Sequence, residues 1–101
     1  MNQDEKSLDI FEKLLGAIEI YEYILGFDHP DTADMYSKLS LAYFEAGNYQ
    51  EASNWIWRTF ITFYKCFGAE DEITLNAYEM LRNIEAHVES GIDLIPYDEL
   101  P

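Results

Sequence analysis

Two stretches of this 101-residue chain echo each other 42 positions apart. Ile24-Leu25-Gly26, Thr32, Tyr36 and Leu39 recur as Cys66-Phe67-Gly68, Thr74, Tyr78 and Leu81. A self-similar period of about 20–50 residues marks stacked units, none of which can bury its apolar face alone. The chain is therefore expected to be one domain with a modest core lying between repeated units.

Within each unit the apolar residues return every three or four positions, the spacing of one helical face. Four helices are expected, over about 4–26, 30–46, 49–67 and 71–90, with residues 1–91 making the domain. On the first, Leu8, Phe11, Leu14, Leu15, Ile18, Tyr21 and Leu25 form a stripe expected to be buried. Ile10, Ala17, Ile20 and Ile24 widen it toward a second face, as in a helix lying between two neighbours. Gly26 and Gly68 suit the left-handed conformation just past a helix end. His29-Pro30-Asp31 opens the second helix, with His29 as the cap, proline at the first helical position and an acid facing the helix dipole. Asn48 and Glu51 have the spacing of a capping box. On the fourth helix Leu75, Tyr78, Met80, Leu81, Ile84 and Val88 are the apolar positions, and the pattern fades at Ser90-Gly91. Residues 92–101 hold two prolines and no helical period, and read as an acidic extended tail.

The run Tyr36-x-x-Leu39-x-x-Ala42-Tyr43-x-x-Ala46-Gly47-x-Tyr49-x-x-Ala52 resembles the tetratricopeptide repeat. The 42-residue period and the linker Leu25-Gly26-Phe27-Asp28-His29-Pro30-Asp31-Thr32-Ala33 are similar to the variety found in kinesin light chains and clustered-mitochondria proteins. The resemblance implies an all-α fold: a short, right-handed, antiparallel array of four helices. It covers about Tyr23 to Glu85 and defines packing positions, not a ligand. Leu14, Ala17 and Leu25 fall 42 positions before Ile56, Thr59 and Phe67, so the first helix matches the second helix of a repeat whose own partner is missing. The chain then reads as half a repeat, a whole one, and the first helix of a third. Arrays this short need their ends covered. Either the segment belongs to a longer protein, or it associates with itself, or the aromatic third helix compensates; the first two are favoured.

Charge bounds the partner. Twenty acidic against six basic residues give a net charge of −14, which repels nucleic acid and anionic lipid and attracts basic surfaces. No apolar run approaches the ~20 residues that span a bilayer, and the polar, acidic N-terminus is unlike a signal peptide. Cys66 stands alone, so a reducing, cytoplasmic setting is expected, with Cys66 as a small core residue. No catalytic, cofactor or metal site is expected: His29 and His87 are 58 positions apart, and Asp28, Asp31 and Asp34 lack the glycine and terminal glutamate of a calcium loop.

The expected function is a non-catalytic protein-interaction module that binds a peptide or protein surface, of basic character. Repeat geometry gives Ser37, Lys38, Leu41, Phe44, Glu45, Glu79 and Asn83 as the lining of its groove. Trp55 and Trp57, two apart on a helix, point about 200° apart, so one anchors the core and the other is a candidate partner contact. The clamp by which some repeats of this family hold acidic chaperone tails is disfavoured, because Ser37 and Leu41 stand where it needs Lys and Asn. The alternatives are a self-association segment giving a homo-oligomer, or the helical part of a larger enzyme such as a SET- and MYND-type methyltransferase.

Overall fold

A computed structural model describes residues 3–88. Four helices run in order: α1 (Gln3–Leu25), α2 (Pro30–Glu45), α3 (Tyr49–Phe67) and α4 (Glu72–Glu85). Each packs on the next in the chain, α1 on α2, α2 on α3 and α3 on α4. There are no strands among the described residues. The fold is the expected all-α, tetratricopeptide-like array.

The turns follow from their local chemistry. His29 caps α2 by accepting the Asp31 N–H at Nδ1, 3.0 Å away. Asn48 Oδ1 accepts the Glu51 N–H at 3.3 Å and caps α3. Asp71 caps α4, its Oδ1 accepting the Ile73 N–H at 2.8 Å. At the end of α2, Gly47 N–H bonds Phe44 O and Asn48 N–H bonds Tyr43 O. This pair of bonds closes the helix and needs Gly47 at its observed φ of +83°.

The 42-residue period is physical. Ile18 and Tyr36 share one buried cluster; their counterparts Phe60 and Tyr78 meet in the other, rings 5.5 Å apart. Leu39 and Leu81, and Thr32 and Thr74, are fully buried in both copies. Small polar residues let backbones approach: Ser40 Oγ donates to Ala52 O at 2.7 Å, and Thr59 Oγ1 to Ala33 O at 3.4 Å. Their own hydroxyls satisfy the carbonyls that such closeness would otherwise bury.

Several expectations need correction. On α1 the packing face is narrower than the predicted stripe. Ile18 is buried, and Phe11, Leu14 and Ala17 pack half-buried beside it, while Leu15, Tyr21 and Leu25 are exposed. With α2 as its packing partner, the second apolar face is left in solvent. Leu75 is exposed too. The last helix ends at Glu85 and not near residue 90, because His87 N–H and Val88 N–H bond three residues back, to Ile84 O and Glu85 O. Cys66 is exposed, not core; its thiol donates to Asp28 O at 3.2 Å. Leu8 lies outside the residues whose side chains are described, as does the tail at 92–101 outside the described chain.

Candidate functional site

Successive helices leave a groove between α2 and α4 with α3 beneath it, about 430 Å3 in volume. Its apolar part is Phe63 and Phe67 of α3 with Ile73, Ala77 and Met80 of α4. Phe63 and Phe67 stand four residues apart, their rings 5.8 Å from each other. Asp31, Asp34 and Ser37 follow one another every three residues along α2 and supply a polar rim, with Asn76 opposite. Both aspartates are exposed. Lys38 lies 3.6 Å from Asp34, an exposed pair that screens one of the two carboxylates only weakly.

The predicted lining is divided by this geometry. Ser37 lies in the groove. Lys38 stands beside its rim, paired to Asp34. Leu41 and Glu45 are exposed farther along α2. Phe44 is half-buried in a separate aromatic cluster, 5.2 Å from Tyr49 and 4.9 Å edge-on from His87. Glu79 and Asn83 are exposed on α4, and Asn83 O meets His87 Nδ1 at 2.8 Å. None of these six is among the groove-lining residues.

The two tryptophans do face opposite ways. Trp55 stacks 5.5 Å from Tyr36 of α2, with the Arg58 guanidinium 4.8 Å above its ring. Trp57 turns toward α4, donating its indole N–H to Glu85 Oε1 at 3.2 Å. Both are half-buried. The same Glu85 oxygen accepts the Ser53 hydroxyl, and its other oxygen, Oε2, has no partner among the described residues. Glu85 thus clasps the end of α4 to α3.

Tyr36 ties the first two helices. Its hydroxyl donates to Glu22 Oε2 at 2.6 Å. Burial pushes its pKa above the ordinary tyrosine value, and the bond and negative charge of Glu22 push the same way, against the opposing pull of Arg58.

Phe63 and Phe67 of α3, Asp31 and Asp34 of α2, and Ile73, Asn76, Ala77 and Met80 of α4 line the groove but are not among the expected lining residues. The spacing of Phe63 and Phe67, four apart near the end of an aromatic helix, is the signal in the sequence that points to them.

Residues 32–63 match the family described as Tetratricopeptide repeat. The chain carries a tetratricopeptide repeat. The matched segment holds most of α2 and the larger part of α3, so the repeat proper is the α2–α3 pair, with α1 and α4 as half-repeats on either side. No curated protein matches this sequence. No helix of the described residues is long and apolar enough to cross a membrane, and no three His, Cys, Asp or Glu side chains among them are placed to hold a metal.

Proposed function

We propose that this tetratricopeptide repeat chain is a non-catalytic docking module whose α2–α4 groove takes a basic protein segment. Repeats of this family generally bind protein partners. A basic ligand is supported by the groove's composition: an apolar floor of Phe63, Phe67 and Met80 beneath the carboxylates of Asp31 and Asp34. An apolar or aromatic side chain of the partner fills the floor, and flanking Lys or Arg meets the rim. The net charge of −14 steers such a ligand in from a distance. Affinity then comes chiefly from the apolar anchor, and selectivity from the charges around it.

The test is calorimetric titration with a ten-residue peptide carrying one phenylalanine among lysines and arginines, against its glutamate-substituted counterpart. Binding of the basic peptide alone, weakening several-fold from 50 to 200 mM salt and again in Asp31→Asn/Asp34→Asn, supports the reading. Equal binding of both peptides, or none, refutes it. The aromatic contacts at Trp55 and the cluster of Phe44 are secondary positions within the same proposal, as are the remaining residues Lys38, Leu41, Glu45, Trp57, Glu79 and Asn83.

A further inference from the structure

The outward face of α1 is patterned, not merely apolar. Ile10, Ala17 and Ile24 recur every seven residues, and Lys13 and Ile20 fall three residues after the first two, giving the alternating three–four seam of a coiled coil. At 100° per residue these five side chains fall within an arc of about 80°. Ile10, Ile20 and Ile24 are 51%, 59% and 68% exposed in the chain as it stands. Together with the Lys13 stem and the exposed part of Ala17, which is half-buried against the α1–α2 core, they present apolar area on the order of 500 Å2, the size at which an exposed patch on one molecule marks a contact surface. Gly16, beside the seam, sits mid-helix, where glycine weakens the helix and an added methyl would meet nothing within 4 Å.

The array cannot cover this face by simple repetition. If α4 of a second copy received α1 as α2 receives α3, Arg82 would occupy the place of Ser40 and Leu75 that of Ala33. Ser40 bonds the Ala52 carbonyl at 2.7 Å, a close approach that the bulk of an arginine side chain disfavours. Head-to-tail stacking between copies is thereby disfavoured.

We propose that α1 is the dimerisation helix of this chain, pairing antiparallel with α1 of a second copy. In a parallel pair Lys13 would face Lys13 and Ala17 would face Ala17, placing like charges together and leaving a void. The antiparallel register sets Lys13 against Ile24 of the other copy and Ala17 against its Ile20, which separates the lysines and matches small with large. The Lys13 stem packs while its ammonium reaches solvent beside Asp9, its partner at 3.1 Å. Covered completely, with Ile10 reaching the exposed Phe27 just past Leu25 of the other copy, two such faces would remove about 1,000 Å2, the lower bound of a specific interface. The interface lies on α1, away from the α2–α4 groove, so it stands whether or not the groove takes a basic segment.

Sedimentation velocity of the full chain tests the proposal, read from about 5 to 500 µM. The expected result is a doubling of the 11.8 kDa mass with rising concentration. Because each copy carries −14, dimerisation should tighten at high salt, the opposite of basic-peptide binding. Ile20→Glu should remain monomeric over the whole range, whereas Ile61→Glu, at an exposed isoleucine of α3, should dimerise like the parent. Circular dichroism verifies that both variants stay folded. In a Cys66→Ser background, Lys13→Cys mixed with Ile24→Cys should give oxidised heterodimers, and neither alone should do so. A parent that is monomeric throughout overturns the proposal, as does Ile20→Glu that still dimerises. Self-crosslinking of Lys13→Cys would overturn the antiparallel register.

Discussion

Replacing Leu39 by alanine should take away a large share of the chain's stability. Leu39 is 0% exposed, and its cluster joins Ile18 of α1, Tyr36 of α2 and, at its margin, Trp55 and Phe63 of α3. A buried leucine truncated to alanine loses about 3–5 kcal/mol when the walls cannot close on the cavity, and nearer 2–3 kcal/mol when they can. Leu39 is held between helices on both sides, so the upper part of that range applies. Leu81, its counterpart 42 residues on, is also 0% exposed, but α3 is the main helix packed against α4, with only Tyr43 and Phe44 of α2 at the margin of its cluster, so one wall is freer to relax. Leu81→Ala should therefore cost about 1 kcal/mol less than Leu39→Ala. Leu41 gives the control: it is 42% exposed two residues away, and the same substitution should cost about 1 kcal/mol or less. Against a total of roughly 5–15 kcal/mol for a domain of this length, these differences are easily resolved. Urea titration followed by circular dichroism measures all three. A Leu39→Ala variant as stable as Leu41→Ala would refute the shared apolar seam, and a Leu81→Ala variant costlier than Leu39→Ala would refute the argument from relaxation.

Two further outcomes follow from single bonds. Glu85→Ala strands the Ser53 hydroxyl and the Trp57 indole N–H, and should cost about 2–4 kcal/mol, whereas Glu85→Gln keeps an acceptor for both and should cost clearly less in thermal melts. Because burial raises the folded-state pKa of Tyr36, its contribution is intact below the unfolded tyrosine value of about 10 and is lost as pH rises beyond it. Parent stability should thus fall above about pH 10 more steeply than that of Tyr36→Phe, as denaturant midpoints at stepped pH would show; identical slopes would contradict the combined effect of burial and the Glu22 bond on the Tyr36 hydroxyl.

Helix order and turn chemistry were legible because they are local. Gly26 and Gly68 at φ of about +90°, the His29 cap and the Asn48 cap all depend on residues within a few positions of each other. What failed depends on which neighbour arrives. Apolar residues spread over much of α1, and no periodicity can say which arc meets α2; the tie from Tyr36 to Glu22 settles it. Cys66 looked internal beside Phe67, yet it lies on the outward side of the last turn of α3, where its thiol meets Asp28 O of the α1–α2 loop. Val88 extended the α4 pattern on paper, but the chain tightens after Glu85, whose side chain is already committed to Ser53 and Trp57. Of the lining expected on α2 and α4 only Ser37 lies in the groove, because its floor is Phe63 and Phe67 of α3 and which residues of three helices converge depends on their packing.

Amide chemical shifts of the labelled chain, followed during titration with the basic phenylalanine-containing peptide, test the docking account most directly. The account predicts the largest shifts at Asp34, Ser37, Phe63, Asn76 and Met80, around one groove. Shifts centred on α1 instead, or an equal response to the acidic peptide, would contradict it.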